Sequence, residues 1–183
     1  MRKVIAAINM SLDGFCDHTV GIADEELHQH YTDLLSNGDT LLYGRITYQL
    51  MESYWPKLVK SPSGNKEIDE FALAIDKVNK IVFSRTLKSI GWESAKLANR
   101  DLKEVVLELR KQSGKDIFVG SPSLIVALTQ LGLIDEYQLC VHPVIVGKGL
   151  PLFKDVNDKI TLKLKKTKPF SSGAITLYYE PKS

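Results

Sequence analysis

Short apolar runs, each closed by a glycine or a polar turn and most followed by a segment of helical period, set the narrowest limit on how this chain folds. The first, Val4-Ile5-Ala6-Ala7-Ile8, lacks polar alternation and ends at Asp13-Gly14, which predicts a strand buried on both faces. From Asp24, the positions Leu27, Tyr31, Leu34 and Leu35 recur with helical spacing, with Asp24 as N-cap and Gly38 as stop. Thr40-Leu41-Leu42-Tyr43 predicts a second strand, and Gly44 turns it directly into a short helix carrying Thr47, Leu50 and Met51. The stretch from Pro56 to Lys66, rich in Pro, Lys, Ser, Gly and Asn, reads as a surface loop.

Lys80-Ile81-Val82-Phe83 predicts a third strand, which ends at Ser84-Arg85-Thr86. Asp101 to Ser113 has an apolar stripe at Leu102, Val105, Val106 and Leu109, and Asp101 and Glu104 are spaced as a helix cap. Asp116-Ile117-Phe118-Val119 follows as a strand. After Gly120, Ser121 as N-cap and Pro122 at the first helical position open a helix through Leu124, Ile125, Leu128 and Leu131 that stops at Gly132. Past Asp135 the period changes to two, in Glu136 to Val146, Ile160 to Lys165 and Ile175 to Tyr179. Pro169-Phe170-Ser171-Ser172-Gly173 joins the last two as a hairpin turn. Alternating βα units followed by a hairpin imply an α/β fold: a mixed, mostly parallel sheet with helices on both faces and an antiparallel edge.

Composition narrows the function classes. The 183 residues, 44% hydrophobic and 25% charged, suit one globular domain over residues 1–183. Lys plus Arg number 24 against 22 Asp plus Glu, a net +2 that gives nucleic acid or an anionic membrane no electrostatic preference as partner. Lys163, Lys165, Lys166 and Lys168 mostly alternate with apolar residues, so they belong to the wet face of a strand. No apolar run approaches the roughly 20 residues of a membrane span and no signal-peptide core opens the chain, so a cytoplasmic location is expected. The two cysteines, Cys16 and Cys140, lie far apart and are expected to be reduced and structural. His28 and His30 point to different helix faces, and His142 alternates with Cys140 as a core or edge residue, so no metal site is expected.

In open α/β sheets, ligands bind at the carboxyl ends of strands, where helix N-termini present free N–H groups. Gly44-Arg45-Ile46-Thr47 offers close backbone approach, a guanidinium and a hydroxyl; Gly120-Ser121-Pro122-Ser123 offers the same without the cation. Either glycine can also simply make a tight turn. Two such junctions, with Ser84-Arg85-Thr86 at a third strand end, favour phosphate binding, because Arg grips a terminal phosphate through a bidentate fork. Neither a P-loop nor a G-x-G-x-x-G motif is present. Tyr48, Met51 and Trp55 share one helix face and serve either the core or an apolar wall for a flat heterocycle or nicotinamide. Asp13 and Asp24 are the candidate catalytic carboxylates, although Asp13-Gly14 is also a turn pair and Asp24 also a helix cap.

The ordered segments Ser11-Leu12-Asp13-Gly14, Thr40 to Tyr48, Ile81 to Thr86, Ile117 to Leu124, Ile134 to Tyr137 and Pro143 to Phe153 resemble the dihydrofolate reductase superfamily. The resemblance is strongest to the branch containing the reductase domain of the riboflavin-pathway deaminase-reductase. It implies a dihydrofolate-reductase-like three-layer fold and an NADPH-dependent reductase, often a homodimer, acting on a C=N or C=O of a small metabolite. Aminouracil ribosyl phosphate reduction and dihydrofolate reduction are the activities of the similar enzymes. By motif position, Gly44, Arg45 and Thr47 would meet the cofactor phosphates, Ser84, Arg85 and Thr86 the adenosine 2′-phosphate, and Gly120, Ser121 and Ser123 the pyrophosphate. This chain departs from that branch at Phe15, Val119 and Ser121, where the family commonly has Lys, Glu and Gly. A nucleotide-binding or regulatory protein without turnover is the alternative on the same fold.

Overall fold

The strands expected to be buried on both faces lie at the centre of one sheet whose order is β4-β3-β2-β5-β1-β6-β8-β7. The computed structural model describes residues 1–22 and 24–182. Its elements are β1 (Val4–Ser11), α1 (Glu25–Ser36), β2 (Gly38–Gly44), α2 (Arg45–Lys60), α3 (Lys66–Lys77), β3 (Asn79–Phe83), β4 (Ala95–Leu97), α4 (Leu102–Lys111), β5 (Asp116–Val119), α5 (Pro122–Gln130), β6 (Glu136–His142), β7 (Leu162–Pro169) and β8 (Ile175–Pro181). β1 to β6 pair in parallel, and β8 runs antiparallel between β6 and β7. Among the described residues no helix is long and apolar enough to cross a membrane.

Alternation along the central strands divides the core between two helical layers. Val4, Ala6, Ile8, Leu42, Ile81, Ile117 and Val119 pack with Val105, Val106, Leu124, Ile125 and Leu128 of α4 and α5. Ile5, Leu41, Tyr43, Val82 and Phe118 pack with Leu35, Tyr48, Phe71 and Ile75 of α1, α2 and α3. The result is the three-layer arrangement that the βα alternation implies.

Several boundaries differ from expectation for physical reasons. Gly38 does not stop α1, which ends on Asn37 with right-handed φ −91°. Gly38 opens β2 instead, because a Cβ there would overlap the Phe118 ring. The expected loop from Pro56 shrinks to residues 61–65: α2 continues through Pro56 to Lys60, and α3 starts at Lys66. Asn65 caps α3 by accepting from the Ile68 N–H at 3.0 Å, and its apolar face is Phe71, Ala72 and Ile75. β6 stops at His142, before Pro143, rather than reaching Val146.

Candidate functional site

Three strand ends stand side by side at the carboxyl edge of the sheet. β2 lies between β3 and β5, with Gly44 paired to Phe83 on one side and Leu42 to Val119 on the other. The segments that follow, Ser84-Arg85-Thr86, Gly44-Arg45 and Gly120-Ser121, therefore form one row. Ser84 Oγ accepts from the Thr86 and Leu87 N–H groups at 3.2 and 2.9 Å, closing a turn that leaves Arg85 and Thr86 exposed. Arg45 is also exposed, its guanidinium donating to Gln49 at 3.1 Å, and Thr47 is half-buried.

The helices opening from this row differ from the rest. α1, α3 and α4 are capped by the side chains of Asp24, Asn65 and Asp101 and carry acids in their first turns. α2 and α5 have no side-chain cap bond and no first-turn acid. Their first N–H groups and positive dipole ends face the row without a carboxylate to neutralise them, the arrangement that attracts phosphate. Gly44 lets the two helix starts approach each other, since a Cβ there would come within 3.3 Å of Ser123 Oγ, whereas a Cβ on Gly120 would make only ordinary contact, 3.6 Å from the Ala7 carbonyl. Ser121 stands at the N-cap of α5 as the sequence predicts, but without a side-chain cap bond. Its hydroxyl, 1% exposed, accepts instead from the Gly44 N–H at 2.9 Å.

Further along the same edge, β1 and β6 bring two loops together. Asp13 accepts from Ser11 Oγ at 2.7 Å and from the Gly147 and Val146 N–H groups at 2.7 and 3.2 Å. The Ser11 bond, followed by these backbone bonds, holds its carboxyl below the usual range. Through these bonds Asp13 ties the end of β1 to the loop after β6. Asp17 accepts from the Leu150 N–H at 2.7 Å, Leu12 donates to the Val144 carbonyl at 2.9 Å and Cys16 to that of Leu150 at 2.8 Å. An open cleft of about 390 Å³ lies between these loops, lined by Asp17, Thr19, Val20, Val146, Lys148 and Gly149.

Beneath α1 is a polar cluster around the buried His142 that the sequence did not single out as a unit. Asn9 Oδ1 accepts from Tyr31 OH at 2.8 Å and His142 Nε2 at 3.0 Å, while His142 Nδ1 accepts from the Ile22 N–H at 3.0 Å. That pattern assigns the neutral Nε2–H tautomer, and burial lowers the imidazole's proton affinity. Cys140 is 3.7 Å from His142 Nε2, its thiol pushed up by burial. Asp24 caps α1 through Oδ1, which accepts from the Leu27 N–H at 2.6 Å; its Oδ2 is buried without a partner among the described residues. The missed signal was Asn9, a polar residue between Ile8 and Met10 on a strand covered on both faces.

The apolar wall is corrected at Tyr48. It is fully buried, its hydroxyl donating to Glu52 and accepting from the Trp92 N–H at 3.3 Å, so it offers a ligand no surface. Burial pushes this phenol up to about 12. Met51 and Trp55 are half-buried against the same core, with Trp55 edge-on to Phe71 at 4.6 Å between centroids. Ten residues of helix place Trp55 about 15 Å along α2 from its start, outside the row of strand ends.

Residues 2–176 match the RibD C-terminal domain family. The chain belongs to that family. Among its relatives, the Bacillus subtilis (strain 168) protein YyaP, itself uncharacterized, is 38% identical over 182 residues, covering 97% of this chain and 94% of YyaP. A putative riboflavin biosynthesis protein from Shewanella sp. PV-4 is similar in structure with a TM-score of 0.75 at 20% identity, covering 100% of both chains. Dihydrofolate reductase from Enterococcus faecalis, solved in complex with NADP(H) and RAB-propyl, has a TM-score of 0.67 at 12% identity, covering 99% of this chain and 97% of that one. This RibD C-terminal domain therefore has the dihydrofolate-reductase-like fold.

Proposed function

We propose that this RibD C-terminal domain is an NADPH-dependent reductase that transfers a hydride to a C=N or C=O group of a small heterocyclic metabolite. The observation that carries the proposal is the row of three adjacent strand ends, two of them opening into helices without caps or first-turn acids. The residues present fit the cofactor: Arg85 and Thr86 are free for the 2′-phosphate, and the starts of α2 and α5, with Arg45, Thr47, Gly120 and Ser123, for the diphosphate. NADPH, when bound, supplies the hydride. The chain's own contribution lies beyond β5, where Asp24 holds a buried carboxylate oxygen, without a partner among the described residues, that is suited to carrying a proton or gripping a donor edge of the substrate. The Asn9, Tyr31 and His142 network fixes the floor beside it, and the laced loops after β1 and β6 wall the cleft.

Titration with NADPH, followed by nicotinamide absorbance with a panel of dihydropterins, aminouracil ribosyl phosphates and carbonyl compounds, tests the proposal. Binding and consumption are expected. Tight binding without consumption across the panel favours a nucleotide-binding role without turnover, and no binding removes the assignment.

A further inference from the structure

We infer that Ser121 is a positioning residue that locks the starts of α2 and α5 together so that one diphosphate is held by both; this rests on the NADPH assignment above. Backbone pairing between β2 and β5 ends at Leu42 with Val119. Beyond that point β5 gives way to α5 while β2 runs on only to Gly44, so the ladder between them does not continue. The gap is bridged by a side chain: the Gly44 N–H, two residues past Leu42, donates to Ser121 Oγ, two residues past Val119, at 2.9 Å. Both residues are buried, so water cannot replace the bond if it is lost.

The same hydrogen bond explains the missing cap. The oxygen that would have closed the first turn of α5 is turned across the sheet, leaving that turn open. It also occupies the Gly44 N–H, so the free donors of α2 begin one residue later, at Arg45. The two helix starts are close enough that a Cβ on Gly44 would meet Ser123 Oγ at 3.3 Å and Ser121 Cβ at 3.8 Å. A latch at this place sets the spacing between two donor groups before the ligand arrives, which lowers the ordering cost of binding a rigid bridged anion.

The test compares the unmodified protein with Ser121→Ala and Ser121→Cys, the second keeping the side-chain volume while replacing the oxygen with a weak acceptor. Two probes are titrated: NADPH, and 2′,5′-ADP, which has the 2′-phosphate but no diphosphate bridge. Both variants should bind NADPH about five- to tenfold more weakly, the size of one net hydrogen bond, while 2′,5′-ADP changes less than about twofold. A cooperative thermal transition in the Cys variant, even if lowered by the lost bond, keeps the comparison valid if the Ala variant folds poorly. Parental NADPH affinity in the Cys variant, or equal losses for both probes, overturns the inference alone. Failure of the unmodified protein to bind NADPH overturns the assignment on which it rests, and the inference with it.

Discussion

Replacing Lys80 by methionine should open a stability difference that changes with pH. Lys80 is fully buried at the start of β3, with Nζ 2.7 Å from the Val78 carbonyl, 2.7 Å from Ser94 Oγ and 4.0 Å from the centre of the Trp92 ring. Burial lowers its pKa from 10.5 to about 8. Below pH 8 the ammonium is present in both folded and unfolded chains. Between about 8 and 10.5 the folded protein has released this proton and the unfolded chain has not, so Lys80 adds stability as the pH rises. The slope approaches about 1.4 kcal/mol per pH unit, for a total of roughly 3 kcal/mol across the window. The parent protein alone would hide this, because Cys16, raised from 9.0 to about 11 by burial, contributes in the opposite direction over much of the same range. Subtracting Lys80→Met removes that background. Urea unfolding from about pH 7 to about pH 10 should show the parent gaining on the variant, on top of a constant offset from the lost oxygen contacts. A separation that stays constant within about 0.5 kcal/mol would refute a desolvated ammonium at this site.

Arg85→Ala should weaken NADPH by on the order of 1.5 to 3 kcal/mol while scarcely affecting NADH, measured by calorimetric titration; equal losses would take Arg85 away from the 2′-phosphate. Gly44→Val should abolish NADPH binding in a protein with unchanged circular dichroism, because the branched side chain would crowd Ser123; undiminished binding would discount the first helix junction. Gly38→Ala should destabilise the fold by about 1 to 3 kcal/mol through overlap with the Phe118 ring, and an unmoved urea midpoint would contradict that packing. His30 is lowered by burial from 6.5 to about 4, so the unfolded chain binds the extra proton in this interval and stability falls as pH drops through it. His30→Phe should flatten that acid limb, and an unaltered limb would mean that another group produces it.

Legibility in the sequence followed the distance over which each physical signal acts. β5 could be read from Asp116 to Val119, and Asp101 could be recognised as a cap, because both depend on neighbouring residues. α3 was missed although Ile68, Phe71, Ala72 and Ile75 carry its period: the turn-forming residues before it obscured its start at Asn65. β4, three residues at the sheet edge, has too little pattern to stand out. At the site, the glycine junctions were visible as strand-to-helix changes. What Ser121 and Asp13 do with their oxygens was not, because Gly44 and Gly147 reach them only through the folded sheet. Tyr48 shows the reverse: shared helical phase with Met51 and Trp55 cannot tell a ligand wall from a buried tyrosine held by Glu52.

The lacing of the loops after β1 and β6 bears on how the cleft between them can be reshaped. Asp13 and Asp17 hold backbone groups of the opposite loop, and Phe15 bridges to Pro151, so neither segment has its shape independently. Grafting only the Val144–Leu150 stretch from a relative would disturb the backbone path that carries the Val146, Gly147 and Leu150 amides to these two carboxylates. A productive graft must move both loops as a cassette, and natural changes of sequence at this end should arrive as paired rather than single exchanges.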